Sequence, residues 1–69
     1  MAIIKLKQLT EAQKANTGAA MVSQCGSRIL IEYLNGTTEE GTIDSDINSW
    51  DIEHLIKIIQ VENFTKAIK

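Results

Sequence analysis

The sequence is short of nearly everything that supplies chemistry. Among its 69 residues there is no proline, one cysteine (Cys25), one histidine (His54), and one each of Trp, Tyr and Phe. A lone cysteine excludes an internal disulfide, and with no CxxC pair it reads as a small apolar side chain rather than a redox centre. A zinc site needs about four nitrogen or sulfur ligands, so no metal and no cofactor is expected. His54 has no second histidine and no nucleophile at a useful spacing, and Gly36 and Gly41 lack the Lys-Ser/Thr ending of a phosphate-binding loop. An enzyme is not expected.

Long apolar runs are also missing. The opening MAIIKLKQLT has no basic start followed by an extended hydrophobic stretch, and nowhere do about eighteen apolar residues follow one another. A soluble, cytoplasmic protein without a membrane partner is the expectation. Basic residues are absent from a whole region: Glu32, Glu39, Glu40, Asp44, Asp46, Asp51 and Glu53 occur with no Lys or Arg among them. The net charge is −2, against a protein that coats duplex nucleic acid by counterion release. Any basic face must come from the terminal segments, which carry Lys5, Lys7, Lys14, Lys57, Lys66 and Lys69.

What remains is a chain that is 43% hydrophobic, too apolar for disorder, whose core must be built from Ile, Leu, Val and Ala. It is a single domain over residues 1–69. So small a core leaves only a few kcal/mol of net stability, which makes oligomerisation a natural support.

Thr10 and Gln13 form a capping-box pattern, and Leu9, Ala12, Ala15, Ala19 and Val22 recur at helical spacing, predicting a helix over about 11–23. Gly26 is its expected C-terminal stop. RILIEYL, from Arg28, is a strand with apolar groups on both faces, ended by Asn35-Gly36, and Thr37 to Asp44 returns as a polar strand. Trp50 to Val61 fits two patterns. Ile52, Leu55, Ile56 and Ile59 stand at i, i+3, i+4 and i+7 behind Ser49 as a possible cap, yet the run is rich in β-branched residues and alternates locally, which favours strand. Strand gives a mostly β fold, an N-terminal helix before a strongly bent five-stranded antiparallel barrel over about 28–68. Helix, with Ala2 to Lys7 as a first strand, gives an α+β ferredoxin-like order β-α-β-β-α-β.

The stretch LNGTTEEGTIDS resembles the first motif of Sm-like proteins, the Hfq branch in particular, through Leu34, Asn35, Gly36, Gly41 and Ile43. VENFTKAI is similar to the second motif, with Phe64, Thr65, Lys66, Ala67 and Ile68 in its places. Asp46 falls one position before the family's acid, and Lys66 stands where members often carry histidine. The resemblance covers roughly Leu9 to Ile68. It implies an SH3-like barrel in which Asn35, Gly36 and Gly41 shape the turn and bend. Val61, Phe64, Ala67 and Ile68 would then meet the neighbouring subunit of a closed homo-oligomeric ring of about five to seven chains. It also implies single-stranded RNA near the pore, with Trp50 stacking on a base, Asn48 reading a base edge and Lys66 holding phosphate, in a role in RNA metabolism or riboregulation. The alternative from the charge pattern is a small acidic protein-interaction module, of the kind used as a viral or phage accessory or inhibitor protein, without RNA binding.

Overall fold

The computed structural model describes residues 4–67, and these form a two-layer α+β domain. The chain runs β1 (Ile4–Gln8), α1 (Glu11–Thr17), β2 (Ala19–Cys25), β3 (Arg28–Tyr33), β4 (Thr38–Thr42), a single 3-10 turn (Ile47–Ser49) and α2 (Ile52–Ala67). The strands make one open antiparallel sheet in the order β1-β2-β3-β4. Helix α2 covers one face of it, and the described residues close no five-stranded barrel.

Helix α1 begins on the reciprocal capping box: the Gln13 N–H donates to Thr10 Oγ1 at 3.2 Å, and the Thr10 N–H donates to Gln13 Oε1 at 2.9 Å. It ends six residues before the predicted limit. Gly18 adopts the left-handed conformation, φ 76°, and its N–H closes on the Lys14 carbonyl at 2.8 Å. The segment from Ala19 onward is strand. The helical spacing of Ala19 and Val22 has a different origin: the register of β2 on β3 shifts between Ala19 and Met21, and this bulge puts residues three apart on one face. Gly26 is left-handed as well, φ 64°, but it turns the β2–β3 hairpin rather than stopping a helix.

Asn35 and Gly36 turn the next hairpin. Gly36 has φ 88°, and Asn35 Oδ1 accepts from the Thr37 N–H at 3.0 Å and from Thr37 Oγ1 at 2.6 Å. In β4, Gly41 stands in regular register opposite Ile29. Its missing Cβ serves the helix layer, because an added methyl would lie 2.8–2.9 Å from three carbons of Ile59. Tyr33, Glu39, Gln60 and Asn63 tie the layers together: Gln60 Nε2 donates to Tyr33 Oη at 3.1 Å, Asn63 Nδ2 to Glu39 Oε2 at 3.0 Å, and Tyr33 Oη to Glu39. Burial, and next the Glu39 carboxylate, raise the Tyr33 pKa above its ordinary value.

The strand reading of Trp50 to Val61 is corrected by α2. Ile52, Leu55, Ile56 and Ile59 are all buried, the four positions of the helical pattern, and they meet Val22, Ile29, Ile31 and Ile47 in one core. Burial of that stripe outweighs the modest helix penalty of β-branched residues, which amounts to a few tenths of a kcal/mol each. Asp51 supports the start of the helix, its carboxylate accepting the Glu53 N–H at 3.1 Å and its carbonyl the Leu55 N–H at 3.0 Å. The observed order also departs from the ferredoxin-like alternative, since β4 follows β3 directly and lies at the sheet edge before α2 begins.

Candidate interaction surface

The strand registers divide the sheet into two sets of rows. On the helix side run Lys5, Gln24, Ile29, Gly41 and then Lys7, Val22, Ile31, Glu39. On the opposite side run Ile4, Cys25, Arg28, Thr42, then Leu6, Ser23, Leu30, Glu40, then Gln8, Met21, Glu32, Thr38. No described element packs on this second face. Ile4 is 65% exposed and Leu6 60%, while Leu30 and Met21 are half-buried by their neighbours alone. A shallow groove of about 320 Å³ crosses it beside Ile4, Cys25, Leu30 and Glu40. Arg28 reaches Glu40 at 3.6 Å across the strands; the charges of the face, Arg28, Glu32 and Glu40, lie on β3 and β4, and its apolar side chains run from Ile4 and Leu6 on β1 through Met21 on β2 to Leu30 on β3.

The two edges of the sheet differ. Antiparallel residues alternate between facing their partner and facing out. The Leu9 N–H points to the Ala20 carbonyl at 3.4 Å, which sets the backbones of Lys5 and Lys7 toward β2 and leaves those of Ile4, Leu6 and Gln8 outward. By the same rule Tyr33 with Thr37 and Ile43 with Ser27 set Thr38, Glu40 and Thr42 outward on β4. There α2 intervenes, for Asn63 Nδ2 donates to the Glu40 carbonyl at 2.9 Å. One outward carbonyl of the β4 edge is thus capped from the helix layer, and among the described residues no hydrogen bond caps the outward groups of β1.

Beneath β1 the loop after β4 is fixed by Gln24, which is 6% exposed and satisfied at both ends: its Nε2 donates to the Ser45 carbonyl at 2.8 Å and its Oε1 accepts the Ile47 N–H at 2.9 Å. Asp46 caps the 3-10 turn by accepting the Asn48 N–H at 2.8 Å and pairs with Lys5. Lys5, then the Asn48 N–H, hold the Asp46 carboxyl below its usual range.

The residues singled out for RNA do not converge. Trp50 is half-buried, stacked on His54 with ring centroids 6.1 Å apart, and its Nε1 lies 3.3 Å from Ser45 Oγ. Asn48 is exposed on the 3-10 turn. Lys66 occupies the last turn of α2, roughly 20 Å along the helix from its start at a rise of 1.5 Å per residue. Val61, Phe64 and Ala67 are exposed on α2, in no strand, with Val61 at 64% and Phe64 at 67%; Ile68 lies outside the described residues. No cluster of three or more potential metal ligands occurs among the described residues, and no helix there is long and apolar enough to cross a membrane. Ile4, Leu6 and Leu30 did not stand out in the sequence reading. The alternation Ile4-Lys5-Leu6-Lys7 was the available signal, a period-two pattern beside a run of lysines.

Comparison of the chain with protein-family models, with curated proteins and with solved structures finds no match in any of the three.

Proposed function

We propose that this chain is a small acidic protein-interaction module that docks through the open face of its sheet. The observation that carries the reading is the unevenness of that face. A solvent-facing antiparallel sheet ordinarily shows polar side chains outward, whereas here Ile4, Leu6, Met21 and Leu30 lie together, flanked by Glu32 and Glu40. Contiguous exposed apolar surface with a polar rim is the mark of a binding site. The complementary partner is a protein surface with an apolar centre and a basic border, since Arg28 offsets only Glu40, Glu32 remains unpaired by any described salt bridge, and the stretch from Glu32 to Glu53 contains no Lys or Arg. The ring-and-RNA reading requires strand from Trp50 to Val61 for the barrel and a further strand carrying Val61, Phe64, Ala67 and Ile68 to the next subunit, whereas Ile52–Ala67 is helix α2.

Panning a library of random peptides against the chain tests the proposal. Enriched sequences should combine apolar residues with Lys or Arg, and Leu30→Asp should abolish their capture while the far-ultraviolet spectrum and a cooperative melt persist. Enrichment of acidic sequences, or undiminished capture by Leu30→Asp, would falsify the reading. Labelled U-rich and A-rich single strands, titrated at low salt, give the RNA arm: saturable binding lost in Trp50→Ala and in Lys66→Ala would replace the protein partner with RNA.

A further inference from the structure

The unequal edges of the sheet point to its own partner: we infer that β1 pairs with β1 of a second copy, antiparallel about a two-fold axis at Leu6, to give one continuous eight-stranded sheet. The inference rests on the backbone edge and not on the open-face reading.

Three observations converge on it. Ile4, Leu6 and Gln8 present unpaired backbone groups along the only sheet edge that no described residue covers. An edge of this kind is a template for another strand. A two-fold at Leu6 sets Leu6 against itself and Ile4 against the partner's Gln8, and all of these are outward-facing, so both members of each pair exchange N–H and carbonyl. Second, Ile4 and Leu6 are among the most exposed large apolar side chains, and the pairing brings the two Leu6 side chains together on the same face. Third, the capped β4 edge, with Asn63 on the Glu40 carbonyl, disfavours head-to-tail growth and lets the assembly stop at two.

Lysine on an edge commonly protects it from such pairing. Lys5 and Lys7, however, lie on the helix side, where Lys5 is ion-paired with Asp46 and Lys7 Nζ lies 3.3 Å from the Trp50 carbonyl. In the pair, Lys5 comes opposite the partner's Lys7. Their repulsion is the part of the interface that salt screens, so dimerisation strengthens as salt rises. A head-to-tail contact of β4 with β1 would set Glu39 near these lysines and weaken instead.

The decisive experiment introduces a cysteine at the axis. In a Cys25→Ser background, Leu6→Cys should convert to a covalent dimer with a short bis-maleimide, because facing residues in a hydrogen-bonded antiparallel pair have Cα atoms about 5.5 Å apart and Cβ atoms too far apart for an unstrained disulfide but within the reach of such a linker. Glu40→Cys, on the capped edge, should stay monomeric. Equal crosslinking of the two, or none at Leu6→Cys, overturns the inference. Sedimentation across a concentration series supplies an independent reading. The native chain should dimerise and tighten with salt, and Leu6→Pro, which removes an outward N–H that the sheet does not use, should sediment as a folded monomer. A native chain that is monomeric at every concentration, or that loosens with salt, also overturns it. Leu30→Asp should lose peptide capture and keep the crosslink at Leu6→Cys, which separates failure of the open-face reading from failure of this one.

Discussion

Leu30 and Ile31 are neighbours in β3 with side chains of equal size, yet they inhabit different environments. Ile31 is fully buried between Val22, Glu39 and the α2 stripe, whereas Leu30 stands on the open face between Ser23 and Glu40. The core of this small domain is therefore one layer thick, and nearly all of its apolar stabilisation lies on one side of the sheet. Truncation measures the contrast directly. Ile31→Ala should cost about 2–5 kcal/mol, the range for removing a buried aliphatic side chain, and Leu30→Ala about 1 kcal/mol or less. Urea melts of the two variants give the comparison, and similar losses would show that the open face is covered in solution.

The covered face can be overfilled as well as emptied. Gly41→Ala would drive a methyl against Ile59, whose branched carbons sit close to its own backbone and cannot swing clear, so a loss of about 1–3 kcal/mol is expected. Because the cost belongs to the pair, Ile59→Ala in the same chain should recover part of it, a non-additivity that a double-mutant cycle reads. Gln24→Leu tests the buried polar side chain of this layer. It keeps the side chain's bulk but strands the buried Ile47 N–H and the Ser45 carbonyl, and should cost about 1–3 kcal/mol. Raised hydrogen exchange confined to the loop around Ile47 would place the loss there.

Much of the covered face could be read from sequence because its signals were local. The Thr10–Gln13 capping box and the Asn35-Gly36 turn each involve residues within four positions, and both form. The longer-range features were less accessible. A β-bulge disguised Ala19 and Val22 as a helical pair, and no periodicity rule distinguishes the two. The α2 stripe was visible as one of two patterns, but the choice depended on a sheet face formed by residues more than ten positions away. The role of Gly41 was equally hidden, for the contact that demands a glycine comes from Ile59, eighteen positions on. The candidate interaction surface was the least legible part. Ile4, Leu6 and Leu30 become a surface only when three strands lie side by side, and what distinguishes them is the absence of a covering layer, which composition does not encode.

The smallest expected effect lies where the covered face meets the free edge, at the pair of Lys5 and Asp46. The Asp46 side chain is 40% exposed and solvent screens its ion pair, so its influence is best seen as a pH dependence. Lys5 first, and the Asn48 N–H second, depress its pKa in the folded state below the ordinary 3.8. Between the folded and unfolded values the unfolded chain binds more protons, so stability rises with pH in that window. The contribution is complete above the unfolded value and disappears as pH falls through the folded one. Asp46→Asn should therefore flatten the acid limb of a stability-versus-pH curve below about pH 4, with the neutral region nearly unchanged apart from a small constant offset. The same variant frees Lys5 to face the partner's Lys7 without its counter-charge, so it should weaken self-association most at low salt. A flattened acid limb with unchanged association would keep the ion pair as a local brace and remove it from the edge.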